Sequence, residues 1–274
     1  MNFTKMQAAG NDFVLINSFE EKLGDYSNLA EKLCHRKYGI GADGILIPEK
    51  SEIGDIKMVY FNSDGSQSAM CGNGIRCFSK YIYENKLVEK KSFSVETGDG
   101  LKYIQLTVDK ENVVTKVKVD MGEGTLDPKK LPVALDKNEI INEKINIKGK
   151  EYTFSTILTG VIHTVIFVDT FDNLDINGVG REIEIHPLFP EKTNVNFVKI
   201  IDKNNVEIRT WERGAGRTLA CGTGSCGTVA LGNYLNLLDN NVNVHTEGGV
   251  LNISMKGKRI YMEGSATTVF KGVI

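Results

Sequence analysis

Proline is scarce, 5 residues in 274; tryptophan occurs once and histidine four times. So little proline excludes polyproline and collagen-like architectures. Long apolar runs are missing too: stretches such as Val165–Val168 fall far short of the roughly 18 residues that a membrane helix needs. The opening MNFTKMQAAGNDF lacks the apolar core of a secretion signal, so the chain is expected to be cytoplasmic, with no membrane partner. Charge of one sign is also absent, since 33 Lys and Arg against 35 Asp and Glu leave a net charge of −2. Without a positive field no nucleic-acid partner is expected, and a small molecule is. The five cysteines, Cys34, Cys71, Cys77, Cys221 and Cys226, are odd in number and thinly spread, unlike a disulfide framework. Cys71 to Cys77 and Cys221 to Cys226 lack CxxC spacing and no HxxxH accompanies them, so no metal is expected.

What is present is an ordinary globular composition, 41% hydrophobic and 25% charged, with 28 glycines that cluster. The clusters repeat at an offset of 150 residues. Cys71-Gly72-Asn73-Gly74 returns as Cys221-Gly222-Thr223-Gly224, with Phe61 and Trp211 at matched positions upstream. Gly10 and Gly160 each precede an apolar run, and Thr97-Gly98-Asp99-Gly100 falls within one residue of Thr246-Glu247-Gly248-Gly249. Two homologous halves follow, and with them a pseudo-twofold protein.

Each half reads as a mixed α/β unit dominated by sheet. Phe13–Ile16, Ile56–Phe61, Tyr103–Val108, Val113–Val119, Thr164–Val168, Val206–Trp211 and Val250–Met255 have the β-branched and aromatic content of strands. Helical spacing is confined to Tyr26–Lys37, Ile75–Asn85 and Ser225–Leu238. Cys71 and Cys221 therefore stand at helix entrances, where unpaired amides and the helix dipole favour thiolate over thiol. The glycines beside them open the turn amides to a carboxylate.

Two equivalent thiols suit the inversion of a carbon stereocentre, which takes a base on one face and an acid on the other. An amino acid's α-proton is weakly acidic, and helix N-termini on its carboxylate would stabilise the developing charge. Gly39-Ile40-Gly41-Ala42-Asp43-Gly44 satisfies GxGxxG, yet it follows a helix and precedes the strand-like ILIP, the reverse of a dinucleotide fingerprint. Cys34, Cys77 and Cys226 are read as packing residues, and His35, His186 and His245 as structural.

The segments MQAAGNDFVLIN, RKYGIGADGIL, FNSDGSQSAMCGNGIRC, TNVNF and TWERGAGRTLACGTGSC, in this order, resemble the diaminopimelate epimerase family over nearly the whole chain. The resemblance implies a cofactor-independent isomerase of lysine and cell-wall precursor synthesis that interconverts LL- and meso-diaminopimelate. It implies Cys71 and Cys221 as the acid/base pair and the amides of Gly72, Asn73, Gly222 and Thr223 on the α-carboxylate. Asn11 and Glu212 would lie near the α-amino group. Asn62, Asn194 and Arg213 would hold the distal end, and His163 would be a polar neighbour of the cysteines. It further implies a homodimer of two-lobed chains, each lobe a curved, mostly antiparallel sheet wrapped around a central helix. On this basis residues 1–117 form the first lobe, 118–265 the second, and strand 266–274 returns to the first.

Where the family commonly reads Gly-Asn-Pro-His, this chain reads Gly160-Val161-Ile162-His163, removing one amide side chain from the distal end. Gly44 stands where some members carry Gln. Three functional classes are separable by deuterium exchange at Cα: an epimerase or racemase of diaminopimelate or another amino acid, a dithiol redox sensor, and a non-catalytic binding protein for acidic amino acids.

Overall fold

Strands make up most of the regular structure, as the β-branched runs require, with four α-helices among them. The computed structural model describes residues 1–274, which divide into two units: Met1–Asp120 with Glu263–Ile274, and Met121–Met262.

In the first unit β1 (Asn2–Ala8) and β2 (Asn11–Leu15) form an antiparallel hairpin. Its turn places Gly10 at φ 81°, a left-handed conformation that glycine adopts without a Cβ clash. Helix α1 (Tyr26–Cys34) is capped by Asp25, which accepts from Ser27 N. It stops short of Lys37 because His35 turns extended and its Nδ1 accepts from the amides of Lys37 and Tyr38. Then come β3 (Gly44–Glu49), parallel to β2, and β4 (Ile56–Asn62), antiparallel to β3. The two-residue β5 (Gln67–Ser68) leads into α2 (Gly72–Glu84). Strand β6 (Ser92–Thr97) lies parallel to β4, and β7 (Gly100–Val108) and β8 (Val114–Glu123) continue antiparallel. The chain's last strand, Thr267–Val273, pairs with β1.

The second unit adds β9 (Glu143–Ile147) and then repeats this order. Strands β10 (Lys150–Thr159) and β11 (Val161–Phe167) form the hairpin, turning at Gly160 with φ 77°. There follow α3 (Ile176–Glu184), β12 (Asn194–Asp202), β13 (Asn205–Glu212), β14 (Gly216–Thr218), α4 (Gly222–Tyr234), β15 (Asn241–Thr246), β16 (Gly249–Lys256) and β17 (Arg259–Gly264). The parallel pairs recur as β11 with β12 and β13 with β15. Both helices of the second unit match those of the first at the 150-residue offset, residue for residue.

Helix α3 is absent from the sequence reading. Its Ile176, Val179 and Ile183 are buried at helical spacing, but Gly178 and Gly180 dilute the local signal. The repeat itself predicts it, since Asp175 caps α3 as Asp25 caps α1. The expected helix starts at Ile75 and Ser225 are also late: α2 and α4 begin three residues earlier, immediately behind the cysteines.

Strand alternation divides each sheet between two helices. Val14, Ile16, Ile45 and Ile47 pack with Ala30 and Leu33 of α1, while Phe13 and Leu46 approach Gly74 of α2. In the second unit Ile162, Ile166, Val195 and Phe197 pack with Val179 and Ile183 of α3. That leaves His163 and Asn196 on the α4 side. Residues 72–83 of α2 are all buried, so each sheet is covered on both faces, as parallel strand pairs require.

Candidate active site

Cys71 is the N-cap of α2, in extended conformation, and its Sγ accepts the amide of Gly74 at 3.3 Å. A thiol in this role replaces the usual Ser or Asp cap and places sulfur where the helix dipole favours negative charge. Its Sγ also lies 3.5 Å from Asn11 Oδ1, which Asn73 Nδ2 approaches at 3.4 Å. Asn11 is itself held: its amide donates to Asp43 Oδ2 at 2.5 Å. Asp43 and Asp12 share the guanidinium of Arg36, and Lys5 pairs with Asp12 at 2.7 Å. Burial opposes ionisation of Asp12, yet bonds from Arg36 and Lys5 hold its pKa at about 2.

Asn73 is fixed from the other side by Arg76, which is fully buried. Its guanidinium donates to Asn73 Oδ1 at 3.0 Å, Gly72 O at 3.0 Å and Ser265 O at 3.2 Å. Asn62 stands apart from this cluster, accepting from Tyr60 Oη at 2.6 Å and donating to Ser66 Oγ at 3.0 Å.

Cys221 caps α4 in the same extended conformation, but without a side-chain capping bond. Its Sγ lies 3.5 Å from Thr223 Oγ1, and Thr223 Oγ1 lies 3.0 Å from His163 Nε2. The helix entrance alone predicts a thiolate, and at Cys221 that expectation is overturned. Burial pushes the thiol's pKa well up, and the Glu212 carboxylate raises it further, against the Thr223 hydroxyl and the Gly224 amide. Glu212 thus faces the sulfur as a hydrogen-bond acceptor, its Oε1 held by Thr218 Oγ1 at 2.5 Å. Burial, followed by the charge of Arg213, brings His163 down to about 3, so its ring is neutral.

Asn194 donates to Ile162 O at 2.9 Å and accepts the amide of Arg213 at 2.9 Å, so its side chain fixes the Arg213 backbone. The Arg213 guanidinium donates to Glu191 O at 2.9 Å rather than to its neighbour Glu212. It borders an open recess of about 350 Å³ whose lining includes Lys129, Lys130, Gly160, Val161 and Ile162.

Of the residues singled out from sequence, Asn11, Cys71, Gly72 and Asn73 form one cluster in the first unit. His163, Glu212, Cys221, Gly222 and Thr223 form another in the second, with Asn194 and Arg213 joined beside them. Sequence reasoning missed Arg76, Asp43, Asn196 and Glu184. Glu184 accepts from Trp211 Nε1 at 2.7 Å and Gly214 N at 3.0 Å, which fixes the turn carrying Glu212 and Arg213. Its signal was available, as the end of a helix repeated at the common offset. Cys34, Cys77 and Cys226 are buried, and burial pushes the Cys34 thiol up to about 12.

The family described as diaminopimelate epimerase matches residues 3–126 and 155–269. The chain is 49% identical to the diaminopimelate epimerase of Alkaliphilus metalliredigens, covering 100% of this chain and 97% of that one. With the Clostridium perfringens enzyme of the same name it shares 47%, covering 99% and 98%. Among solved structures, a probable proline racemase from Agrobacterium radiobacter superposes with a TM-score of 0.74 at 14% identity, covering 100% of this chain and 92% of that one. A hydroxyproline epimerase from Agrobacterium vitis superposes at 0.72 with 16% identity, covering 99% and 91%. The solved structures share the fold, and the sequence relatives fix the family: this chain belongs to the diaminopimelate epimerases.

Proposed function

We propose that the protein converts LL-diaminopimelate to meso-diaminopimelate, in lysine and peptidoglycan precursor synthesis, without a cofactor. One cysteine, as thiolate, removes the α-proton, and the other, as thiol, delivers a proton to the opposite face. The roles exchange in the reverse direction. The observation that carries this reading is the pair of cysteines, each capping a buried helix at the same position of a 150-residue repeat, in a chain of this family.

Proton transfer by two different environments supports the reversible exchange of roles. Cys221 faces both a carboxylate that favours its thiol and a hydroxyl that favours its thiolate. The first-turn amides of α2 and α4, at Gly72, Asn73, Gly222 and Thr223, are the groups we assign to the α-carboxylate. Asn11 and Glu212 are assigned to the α-amino group. Asn62, Asn194 and Arg213 are assigned to the distal end, Asn194 acting by holding Arg213. Arg213, with Lys129 and Lys130 on the same recess, supplies positive charge beside Val161, where the commoner asparagine is missing. A homodimer acting in the cytoplasm completes the reading.

Incubating the purified protein with LL-diaminopimelate alone and separating the stereoisomers tests it. Meso product with no added cofactor is expected, and its loss in both Cys71→Ala and Cys221→Ala. Faster turnover of glutamate, proline or lysine than of diaminopimelate would replace this substrate by another amino acid.

A further inference from the structure

The two cysteines sit in unlike surroundings despite the repeat. At the 150-residue offset, Phe13, Leu46 and Tyr60 of the first unit correspond to His163, Asn196 and Thr210 of the second. An apolar floor under α2, with Phe13 and Tyr60 edge to face at 5.9 Å, becomes a polar chain under α4. That chain is continuous. Thr210 Oγ1 donates to Asn196 Oδ1 at 3.1 Å, Asn196 Nδ2 meets His163 Nδ1 at 3.1 Å, His163 Nε2 meets Thr223 Oγ1 at 3.0 Å, and Thr223 Oγ1 reaches Cys221 Sγ at 3.5 Å. His163 and Asn196 are fully buried and Thr210 nearly so.

The direction of every proton in the chain follows from one fixed acceptor. Asn196 Nδ2 also lies 3.5 Å from Thr164 O, a backbone carbonyl that can only accept. The amide nitrogen must therefore face that side, where it donates to His163 Nδ1. With Nδ1 bare, the neutral ring carries its proton on Nε2 and donates to Thr223 Oγ1. The threonine hydroxyl accepts from the ring and keeps one proton to donate; the Cys221 thiol directs its own proton to the Glu212 carboxylate, so the Thr223 proton turns to Sγ. A donor at that position stabilises thiolate.

We propose that Asn196 is a positioning residue for Cys221: by fixing the tautomer of His163 it turns the Thr223 hydroxyl toward the sulfur. Without Asn196 the ring is free to carry its proton on Nδ1, and Nε2 then takes the Thr223 proton away from Cys221. The charged groups facing this chain are Glu212, from β13, against Cys221 and Arg213 against His163; the first turn of α4 contributes no acid. Burying three polar side chains, His163, Asn196 and Thr210, where the other half has Phe13, Leu46 and Tyr60 is costly unless each is satisfied, which is why the chain is complete. The inference rests on Cys221 cycling between thiol and thiolate, as in the proposed function.

The test reads thiolate absorbance at 240 nm against pH in a Cys71→Ser background, after subtracting the same protein with Cys221→Ser. Asn196→Leu, the residue of the other half, should raise the Cys221 midpoint by about one pH unit, tenfold less thiolate at a given pH. Thr223→Val should raise it equally, Thr223→Ser should leave it in place, and Asn196→Leu with Thr223→Val should add nothing further. If Asn196→Leu does not fold, Thr223→Val and nitrogen-15 NMR of the His163 ring in the parent carry the test, with the proton expected on Nε2. An unshifted midpoint in either variant, additive shifts in the double variant, or a ring protonated on Nδ1 would overturn the proposal. No substrate is present, so a chain inactive on diaminopimelate would refute the proposed function and leave this result standing.

Discussion

Gly224→Ala and Gly74→Ala are the same substitution at the same position of the repeat, and the structure predicts opposite outcomes. Alanine inside a helix gains up to about 1 kcal/mol over glycine, less in a first turn. At position 74 the new methyl would meet Cys71 Cβ at 3.2 Å, Phe13 Cζ at 3.4 Å and Leu46 Cδ2 at 3.5 Å. Those are side-chain atoms that need yield only a few tenths of an ångström, and burying a methyl contributes about 0.8 kcal/mol. Gly74→Ala should therefore lie within about 1 kcal/mol of the parent. At position 224 the methyl would land on Asn196 Oδ1, closer than any packing contact allows. That amide is held by Thr210 on one side and by His163 on the other, so it moves only by breaking a buried bond. Overpacking costs about 1–3 kcal/mol and a broken buried bond about 1–3 more, so after the helix gain of up to about 1 kcal/mol a loss of about 1–6 kcal/mol is expected. Urea unfolding of the three proteins at pH 7 measures the difference. Equal midpoints for Gly224→Ala and the parent would refute the packing of α4 against Asn196.

Other consequences are as direct. Neutral His163 remains unprotonated down to about 3, while an unfolded histidine takes up a proton below about pH 6.5. The unfolded state then binds more protons and stability falls with pH, by about 2 kcal/mol between pH 6.5 and 5; His163→Phe should flatten that part of the curve, read from urea midpoints. Asp12, with its pKa lowered to about 2 from 3.8, contributes stability above pH 4 that is lost as pH falls toward 2, and Asp12→Asn should lose less over that window. Arg213→Ala should lower kcat/KM for LL-diaminopimelate by about 10- to 100-fold through loss of a charge-assisted bond, and Val161→Asn should gain less than tenfold. An Arg213→Ala enzyme with unchanged kcat/KM would remove Arg213 from distal recognition.

The repeat at 150 residues was legible because the two halves keep the same turn chemistry. Glycines at 10 and 160 close hairpins and the CGxG turns open helices, and these are local requirements that leave a mark in sequence. The catalytic candidates could be named for the same reason. The residues that hold them were harder to see. Asp43, Arg76, Asn196 and Glu184 act through partners 3 to 189 residues away, and each looks alone like an ordinary polar residue. The thiolate expectation failed at Cys221 because a dipole argument is local, whereas burial and the Glu212 carboxylate are set by tertiary packing. Helix α3 was lost to its glycines, although the offset that revealed the cysteines also located it.

The central claim, that one sulfur removes the α-proton and a different one returns a proton, is tested most directly in deuterated water. LL-diaminopimelate is converted to a few per cent, and substrate and product are analysed separately by mass spectrometry. A two-thiol mechanism predicts deuterium at the inverted carbon of meso product, with the remaining LL substrate unlabelled. Product that keeps the substrate's own proton, or substrate labelled as fast as product forms, would contradict it.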